Sequence, residues 1–208
     1  MTVTQELSSW LSPPQINTAS PPATGHHAPS TRQLEMPVPG HQPAVVTFLR
    51  HCGCPFAEKT YLGLRDAAAA HPAMAFYAVS HSTQPHTDKW LSAIGGPTPA
   101  NLRVIVDDRR ELYAAWGLGT SSFWHVLNPA DLWRAVRLAR DQGITNRPTE
   151  SGYRFQTSGS WAVDGRGTVV WGAAAASASV IPDFEEAVRA VDRQGEEWSD
   201  VRAEEEEE

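Results

Sequence analysis

Two cysteines, Cys52 and Cys54, are the only thiols of the 208-residue chain, and one glycine separates them. They lie in the stretch VVTFLRHCGCPFAEK, between an apolar run and a segment with helical periodicity. In a reducing compartment, two thiols this close together are typical of redox-active or metal-binding sites. This pair is therefore the first candidate for chemistry in the chain.

The residues around the pair predict a strand before it and a helix after it. The run AVVTFLR is apolar and β-branched, as in a buried strand, and Pro55 suits the first turn of a helix. Cys54 would then cap the helix, where unpaired N–H groups and the positive end of the helix dipole favour thiolate over thiol. Thiols in such positions have pKa values lowered from ~8.5 to as low as ~3.5. We predict that Cys54 attacks. Two resolving groups stay open: Cys52, through a strained and easily reduced disulfide with Cys54, or an external thiol.

The elements that must position this pair alternate along the chain. The predicted order is β-α-β-α-β-α, then a helical insert, then β-β-α. Strands that alternate with helices are joined by crossovers and pair in parallel, whereas the closing hairpin adds antiparallel strands at one side. The predicted fold class is α/β and thioredoxin-like, with a mixed central sheet flanked by helices and a helical insert before the final β-hairpin.

Composition divides the chain into three parts. Residues 1–43 are predicted to be a flexible or extended arm, because Pro, Ser, Thr, Ala and His dominate residues 12–43 and do not build a core. Residues 44–195 are the predicted thioredoxin-like domain, and residues 196–208 are an acidic, solvated tail. For the insert, residues 121–150, a lid over the site, a subunit contact and a solvated helix all remain open.

The phrase FLRHCGCPFAEK, at the first strand–helix junction, resembles the AhpC/TSA-type peroxiredoxin-like proteins of the thioredoxin superfamily. Many of those proteins carry a phrase like FRHFGCPFCRE, and the resemblance continues in VSH, ELYAAWGL and SGSWAVDGRGTVVWG, over about residues 40 to 192. It implies a thiol oxidoreductase with Cys54 at the nucleophile position. The family's second cysteine falls at Ala57, and Cys52 stands two residues before the nucleophile instead. Typical peroxiredoxins hold the peroxide with an arginine and with the threonine of PxxxTxxC, where this chain has His51.

Three further side chains near the pair are candidates. His51 is a candidate partner of the thiolate or proton carrier near neutral pH, or else a loop histidine that faces water. Arg50 would stabilise the thiolate, cap a carboxylate such as Glu58, or lie on the surface. His81 ends the second predicted strand, and the carboxyl ends of parallel strands share one edge of a sheet, so it could lie near Cys54.

A candidate substrate-binding stretch follows from the resemblance to thioredoxins, which hold a cis-proline opposite the nucleophile. The matching stretch here is QTSGSW, which has no proline. The resemblance implies that Thr157, Ser158 and Gly159 face Cys54, with backbone groups open for a substrate.

The function predicted is a thiol-dependent oxidoreductase that reduces a peroxide or a disulfide. Its partners would be a small-molecule or protein thiol or disulfide and an external thiol reductant, without a cofactor or a metal. Two alternatives are a non-catalytic thioredoxin-like binding module and a Cys/His metal site built on HCGC and His81, with copper(I) as the candidate ion. The oligomeric state stays open, a homodimer included.

Charge and hydropathy exclude some functional classes. The net charge is −7, which argues against nucleic acid as a general partner. No apolar run approaches the ~20 residues that a membrane span needs. The N-terminus has neither a basic start nor a long apolar stretch, so it does not resemble a signal peptide. We therefore expect a cytoplasmic protein.

Overall fold

The computed structural model describes residues 15–121, 129–148 and 151–207; the remaining parts of the predicted arm and insert lie outside the described residues. The strands are Ala44–Phe48 (β1), Ala75–Ser80 (β2), Leu102–Val106 (β3), Gly159–Val163 (β4) and Val169–Ala174 (β5). The helices are Pro55–Ala70 (α1), Gln84–Ala93 (α2), Glu111–Ala115 (α3), Pro129–Gln142 (α4) and Phe184–Glu207 (α5).

The five strands form one mixed sheet in the order β3-β2-β1-β4-β5. β1 pairs in parallel with β2, and β2 with β3, because helices carry the chain back between them. β4 pairs antiparallel with β1 and with β5. This arrangement confirms the predicted α/β fold class with a closing hairpin. It also brings the carboxyl ends of β1, β2 and β3 to one edge of the sheet, where the cysteine pair follows β1.

Each face of the sheet has its own apolar core. On one face, α1, α2 and α5 contribute side chains such as Tyr61, Trp90 and Val188. On the other face, side chains of α3 and of the N-terminal segment cover the strands. Trp116 and Trp161 are wholly buried in this second core.

The N-terminal segment, residues 15–43, forms part of that second core, so the expectation that it would be flexible and bury no core is wrong for these residues. Leu34, Met36 and Val38 are buried against the sheet. Backbone bonds fasten the segment to the hairpin, as from the Ala28 N–H to the Gly167 carbonyl at 2.7 Å. The short α3 leaves most of this face uncovered, and the N-terminal segment covers the remainder in an irregular, extended conformation.

The last helix extends into the predicted acidic tail. α5 continues past Gly195 to Glu207, within the residues predicted to be a solvated tail. A glycine in a helix costs only about 1 kcal/mol relative to alanine, and the glutamates beyond it are good helix formers. Among the described residues, no helix combines the length and the apolar character that crossing a bilayer requires.

Candidate active site

The cysteine pair lies in the turn between β1 and α1, as predicted. Cys54 is the N-cap residue of α1, in an extended conformation with φ −73° and ψ 127°, and Pro55 occupies the first turn. The Cys54 N–H donates to the His51 carbonyl at 3.1 Å, which closes the turn that contains both thiols. Both cysteines are free thiols with 6% of their surface exposed. The sulfur of Cys54 makes no capping hydrogen bond to the helix.

Cys52 points toward the neighbouring strand β2 and helix α2. Its Sγ lies 3.5 Å from Ser80 Oγ and 3.9 Å from Thr87 Oγ1, and its N–H donates to Ser82 Oγ at 3.3 Å. Burial raises the pKa of Cys52, and these hydrogen bonds offset the effect only in part. Cys52 is therefore a protonated thiol at neutral pH.

Position 53 has to be a glycine, because another segment of the chain crosses directly over the cysteine pair. Its φ is +129°, and a Cβ there would lie 2.9 Å from the Arg147 carbonyl oxygen and 3.2 Å from that of Pro148. The Arg147 N–H donates to the Gly53 carbonyl at 2.9 Å. Residues 144–148, the part of the insert that follows α4, thus lie directly on the cysteine turn. We call them the cover segment.

An ion pair also holds the cover segment on α1. Arg147 Nε and Nη2 donate to the two carboxylate oxygens of Glu58 at 2.9 and 3.2 Å. Glu58 is buried in the first turn of α1, whereas Arg147 is partly exposed. The N–H of Glu58 in turn donates to the Cys54 carbonyl at 3.1 Å. The position of the cover segment is therefore coupled to the helix turn that Cys54 caps.

Arg50 is buried, with 4% of its surface exposed, so the predicted surface position is wrong. Its Nη2 donates to the Arg154 carbonyl, and its Nε and Nη1 have no acceptor among the described residues. The predicted pairing with Glu58 is also wrong, because Arg147 occupies that carboxylate. Stabilisation of the thiolate remains the prediction for Arg50.

His51 is also buried, so the predicted position facing water is wrong. Neither ring nitrogen has a partner among the described residues. Burial lowers the pKa of His51 well below its usual value, and the charges of Arg50 and Arg154 and the ring of His81 lower it further. His51 is therefore neutral near pH 7 and does not act as a cationic partner of a thiolate.

His81 follows β2 at the same edge of the sheet, as predicted, but both of its ring nitrogens are occupied. The Tyr153 N–H donates to Nε2 at 3.0 Å, so the proton lies on Nδ1, which faces Tyr113 Oη at 3.4 Å. Burial lowers the pKa of His81 to about 3. These contacts fasten the loop before β4 to the sheet, and they do not support the substrate-binding role predicted for His81.

In the stretch from Thr157 to Gly159, several polar groups already have hydrogen-bond partners within the fold. The N–H and the hydroxyl of Thr157 both donate to the Gly119 carbonyl, at 3.0 and 2.9 Å. The Ser158 carbonyl accepts from the Ala175 N–H at 2.8 Å. The N–H of Thr157 and the carbonyl of Ser158 are therefore not open for a substrate, contrary to the expectation. Gly159 begins β4 opposite the last residue of β1.

Two cavities flank the cysteine turn. The first, of about 470 Å³, is mostly apolar; its lining includes Arg50, Phe56, Ser158, Gly159 and Trp171. The second, of about 280 Å³, lies beside Cys52; its lining includes Cys52, His86, Lys89, Trp90, Arg147 and Pro148. The described residues contain no cluster of three or more Cys, His, Asp or Glu side chains that could hold a metal ion, so the metal-site alternative finds no ligand set there.

The sequence interpretation missed the residues that hold the cysteine turn in place from a distance. Tyr113 Oη lies 2.6 Å from the Leu49 carbonyl and 2.8 Å from the Val79 carbonyl, so it ties the ends of β1 and β2 together. The Arg147–Glu58 pair joins residues far apart in sequence. The basic character of Arg147 was visible in the sequence, but nothing local indicated its partner.

Comparisons with solved structures show the fold. A thiol peroxidase from Chromobacterium violaceum is similar with a TM-score of 0.51 and 14% identity, over 88% of this chain and 92% of that chain. A peroxiredoxin-like protein from Aquifex aeolicus is similar with a TM-score of 0.52 and 12% identity, over 86% of this chain and 98% of that chain. The search of curated sequences gives no significant match.

The family follows from a sequence comparison. The model of the AhpC/TSA antioxidant enzyme family matches residues 64–177, which is more than half of the chain. The match begins after both cysteines. It therefore assigns the domain to a family and says nothing about the roles of the two thiols. The chain belongs to the AhpC/TSA antioxidant enzyme family, a peroxiredoxin-like group of thiol oxidoreductases with the thioredoxin fold.

Proposed function

We propose that this protein uses Cys54 as the attacking thiolate and Cys52 as the resolving thiol to reduce a peroxide or a disulfide. The observation that carries the proposal is the position of Cys54 as N-cap of α1, with a second free thiol two residues before it. The first turn of a helix presents unpaired N–H groups that stabilise a thiolate. Cys52 has no such position and is held as a thiol by burial.

With a peroxide, the first step breaks the O–O bond. The Cys54 thiolate attacks one oxygen, an S–O bond forms, and the other oxygen leaves as an alcohol or water after it takes up a proton. The product is a sulfenic acid. Cys52 then loses its proton and attacks the Cys54 sulfur, so an S–S bond forms, the S–O bond breaks and water leaves. Two electrons have passed from the two thiols to the peroxide.

With a disulfide substrate, the same thiols act by exchange. The Cys54 thiolate attacks one substrate sulfur and releases the other as a thiolate. Cys52 then attacks Cys54 in the mixed disulfide and releases the second substrate thiol. Both reactions end in a Cys52–Cys54 disulfide, which an external thiol must reduce.

Arg50 and His51 are the groups proposed to hold the substrate. The guanidinium of Arg50 has two nitrogens without acceptors among the described residues, so it can bind a thiolate or a peroxide oxygen. His51 stands where typical peroxiredoxins have the threonine of their peroxide site. A neutral imidazole offers one N–H donor and one lone pair, the same capacities as a hydroxyl. These four atoms are buried, so substrate binding requires a local movement around them.

Intact-mass measurement after one equivalent of oxidant tests the assignment. The reduced wild-type protein should lose two hydrogens, because a disulfide forms. Cys52→Ser should gain one oxygen at Cys54 or form a mixed disulfide there, and Cys54→Ser should remain unchanged. An oxygen adduct that maps to Cys52 would overturn the assignment of the nucleophile.

A second measurement separates catalysis from the binding-module alternative. The rate of thiol alkylation as a function of pH reports when each thiolate forms. Both thiols reacting only in the range of an ordinary cysteine, together with no mass change on oxidation, would favour a non-catalytic module.

A further inference from the structure

Three buried hydroxyl side chains surround Cys52 in the interior of the fold. Ser80 Oγ lies 3.5 Å from Cys52 Sγ, and Thr87 Oγ1 lies 3.9 Å from it. Ser82 Oγ accepts from the Cys52 N–H, and all three hydroxyl-bearing residues are wholly buried. A cysteine that only fills space needs no such neighbours, because burying a hydroxyl costs free energy unless it is hydrogen-bonded. The hydroxyls therefore indicate a sulfur that carries a charge at one stage of its chemistry.

The hydrogen bonds within this cluster leave the hydroxyl hydrogen of Ser80 with two possible acceptors. Ser80 Oγ accepts from the Ser82 N–H at 3.2 Å, and Thr87 Oγ1 donates to the Ser82 carbonyl at 3.2 Å. The hydrogen of Ser80 can then point to Thr87 Oγ1, 3.0 Å away, or to Cys52 Sγ. A thiol is a weak acceptor, whereas a charged acceptor makes a much stronger hydrogen bond. A donor is thus already in place when Cys52 loses its proton.

We propose that the hydroxyls of Ser80 and Thr87, which we call the hydroxyl pair, enable Cys52 to act as the resolving thiol by donating hydrogen bonds to its sulfur once the proton has left. Ser80 is the principal donor, because it is the closer of the two. This inference rests on the proposed function, in which Cys52 attacks the Cys54 sulfur. It adds the residues that make this attack possible from a buried position.

The resolving step balances with the proton included. After the first attack, Cys54 is a sulfenic acid and Cys52 is still a thiol. Cys52 releases its proton, Ser80 turns its O–H to the sulfur, and the Cys52 sulfur attacks the Cys54 sulfur. An S–S bond forms, the S–O bond breaks, and the hydroxyl leaves with that proton as water. Ser80 keeps its own hydrogen throughout, so it stabilises the charge and does not carry the proton.

Other charged and titratable groups also face Cys52, and substitutions in the hydroxyl pair leave all of them in place. They are His86 and Lys89 of α2, Arg147 of the cover segment, Tyr113 of α3 and Cys54 in the same turn. Burial raises the pKa of Cys52, and the hydrogen bonds of the hydroxyl side chains lower it. Loss of a hydroxyl should therefore raise the pKa of Cys52 further.

The first experiment isolates Cys52. In Cys54→Ser it is the only thiol of the chain, so the rate of alkylation by iodoacetamide as a function of pH reports the formation of its thiolate. Adding Ser80→Ala should move the midpoint of this profile upward by about one pH unit, which is a tenfold change. Adding Thr87→Val should move it in the same direction by less, and it leaves the bond from the Ser82 N–H to Ser80 intact. A change in access alone would alter the plateau of the profile and not its midpoint.

A second pair of buried hydroxyls provides the matched control. Ser160 Oγ donates to Thr47 Oγ1 at 3.2 Å between β4 and β1, and both residues are buried. Within the described part of the chain, the hydrogen bonds to sulfur come from the Cys52 cluster and not from this pair. In the Cys54→Ser protein, Ser160→Ala and Thr47→Val should leave the alkylation midpoint unchanged.

The second experiment follows the resolving step in the protein that keeps both cysteines. The reduced protein receives one equivalent of hydrogen peroxide, and intact mass after rapid acid quench follows the sulfenic acid, with one added oxygen, and the disulfide, with two hydrogens lost. Ser80→Ala should form the sulfenic acid within about twofold of the wild-type rate and convert it to the disulfide about tenfold more slowly at pH 7. The difference should shrink as the pH rises, because the thiolate then forms without the hydroxyl. Ser160→Ala should follow the wild type in both steps.

The outcomes distinguish this inference from the proposed function. A wild-type protein that forms no Cys52–Cys54 disulfide would overturn the proposed function. Equal alkylation midpoints with and without Ser80→Ala would overturn the inference about the hydroxyl pair alone. Conversion of the sulfenic acid at the wild-type rate in Ser80→Ala, or an equal slowing in Ser160→Ala, would also overturn it.

Discussion

Two irregular segments close this fold, and the structure holds them in different ways. The N-terminal segment, residues 15–43, buries Leu34, Met36 and Val38 in the core opposite α1. The cover segment, residues 144–148, is held on the cysteine turn by one backbone bond and by the Arg147–Glu58 ion pair, and Ile144 is its buried apolar anchor.

This difference distinguishes a segment that completes the apolar core from a segment that only covers the cysteine turn. Burial of apolar side chains contributes about 25 cal/mol per Å² and is lost only when the segment leaves the core. A partly exposed ion pair contributes about 0–1 kcal/mol and can be exchanged for water at little cost. The segment over the thiols, with one buried apolar side chain against Leu34, Met36 and Val38 in the N-terminal segment, is therefore the one that costs less to release.

The largest effect should come from the N-terminal segment. Leu34→Ala removes a side chain that is 3% exposed, and we expect a loss of about 2–5 kcal/mol in the free energy of unfolding. Glu35→Ala, at the exposed neighbouring position, is the matched control and should change stability by less than about 0.5 kcal/mol. Urea unfolding measures both. Equal stabilities would show that the segment does not belong to the core.

The sequence predicted the fold because local patterns determine it. Alternating strands and helices, Pro55 at a helix start and the turn before β5 are all visible in a short window. The N-terminal segment was misjudged because proline, serine and histidine dominate its composition. Leu34, Met36 and Val38, spaced two residues apart, were the available signal that one side of it is apolar.

The site was predictable only in part. The cysteine pair and the cap at Cys54 follow from neighbouring residues, and the structure confirms their position. The contacts of Arg147 with Glu58, and of His81 with Tyr153, join residues more than seventy positions apart and depend on tertiary folding. The environment of His51 has the same origin, because Arg154 and His81, which lower its pKa, come from other parts of the chain.

Among the substitutions, Gly53→Ala at the cover segment should have the next largest effect. Strain at an unfavourable backbone conformation costs about 1–3 kcal/mol, and the new Cβ would also press on the carbonyls of Arg147 and Pro148. Gly96→Ala is the control, since Gly96 has φ +80° but a Cβ there meets nothing within 4 Å. We expect faster alkylation of the cysteines by iodoacetamide in Gly53→Ala and no change in Gly96→Ala. Unchanged alkylation in both would mean that the cover does not limit access.

Acid should lower the stability of the protein through the two buried histidines of the site. His81 has a pKa of about 3 in the folded protein against about 6.5 unfolded, and the pKa of His51 is lowered as well. The unfolded chain therefore binds more protons below pH 6.5, so stability falls as the pH drops from about 6.5 toward 3, by up to about 1.4 kcal/mol per pH unit for each histidine. NMR titration of the imidazole protons should show no change for either ring between pH 8 and pH 5. A midpoint near pH 6.5 for His81 would contradict its burial.

The smallest effect on stability should come from the ion pair itself. In a double-mutant cycle of Arg147→Gln and Glu58→Gln, we expect a coupling energy of about 0.2–1 kcal/mol, because Arg147 remains 39% exposed and solvent screens the pair. Arg147→Gln should be the more destabilising single change, since it leaves the carboxylate of Glu58 buried without its partner. Arg140→Gln removes an exposed ion pair with Asp141 elsewhere on the surface and is the control, expected to change nothing measurable. Although stability changes little, alkylation of the cysteines should be faster in Arg147→Gln, because the cover segment loses its main polar attachment. A coupling energy above about 3 kcal/mol would contradict the inference that the cover segment leaves the cysteine turn at little cost. A segment held that tightly would be attached as firmly as the N-terminal segment is.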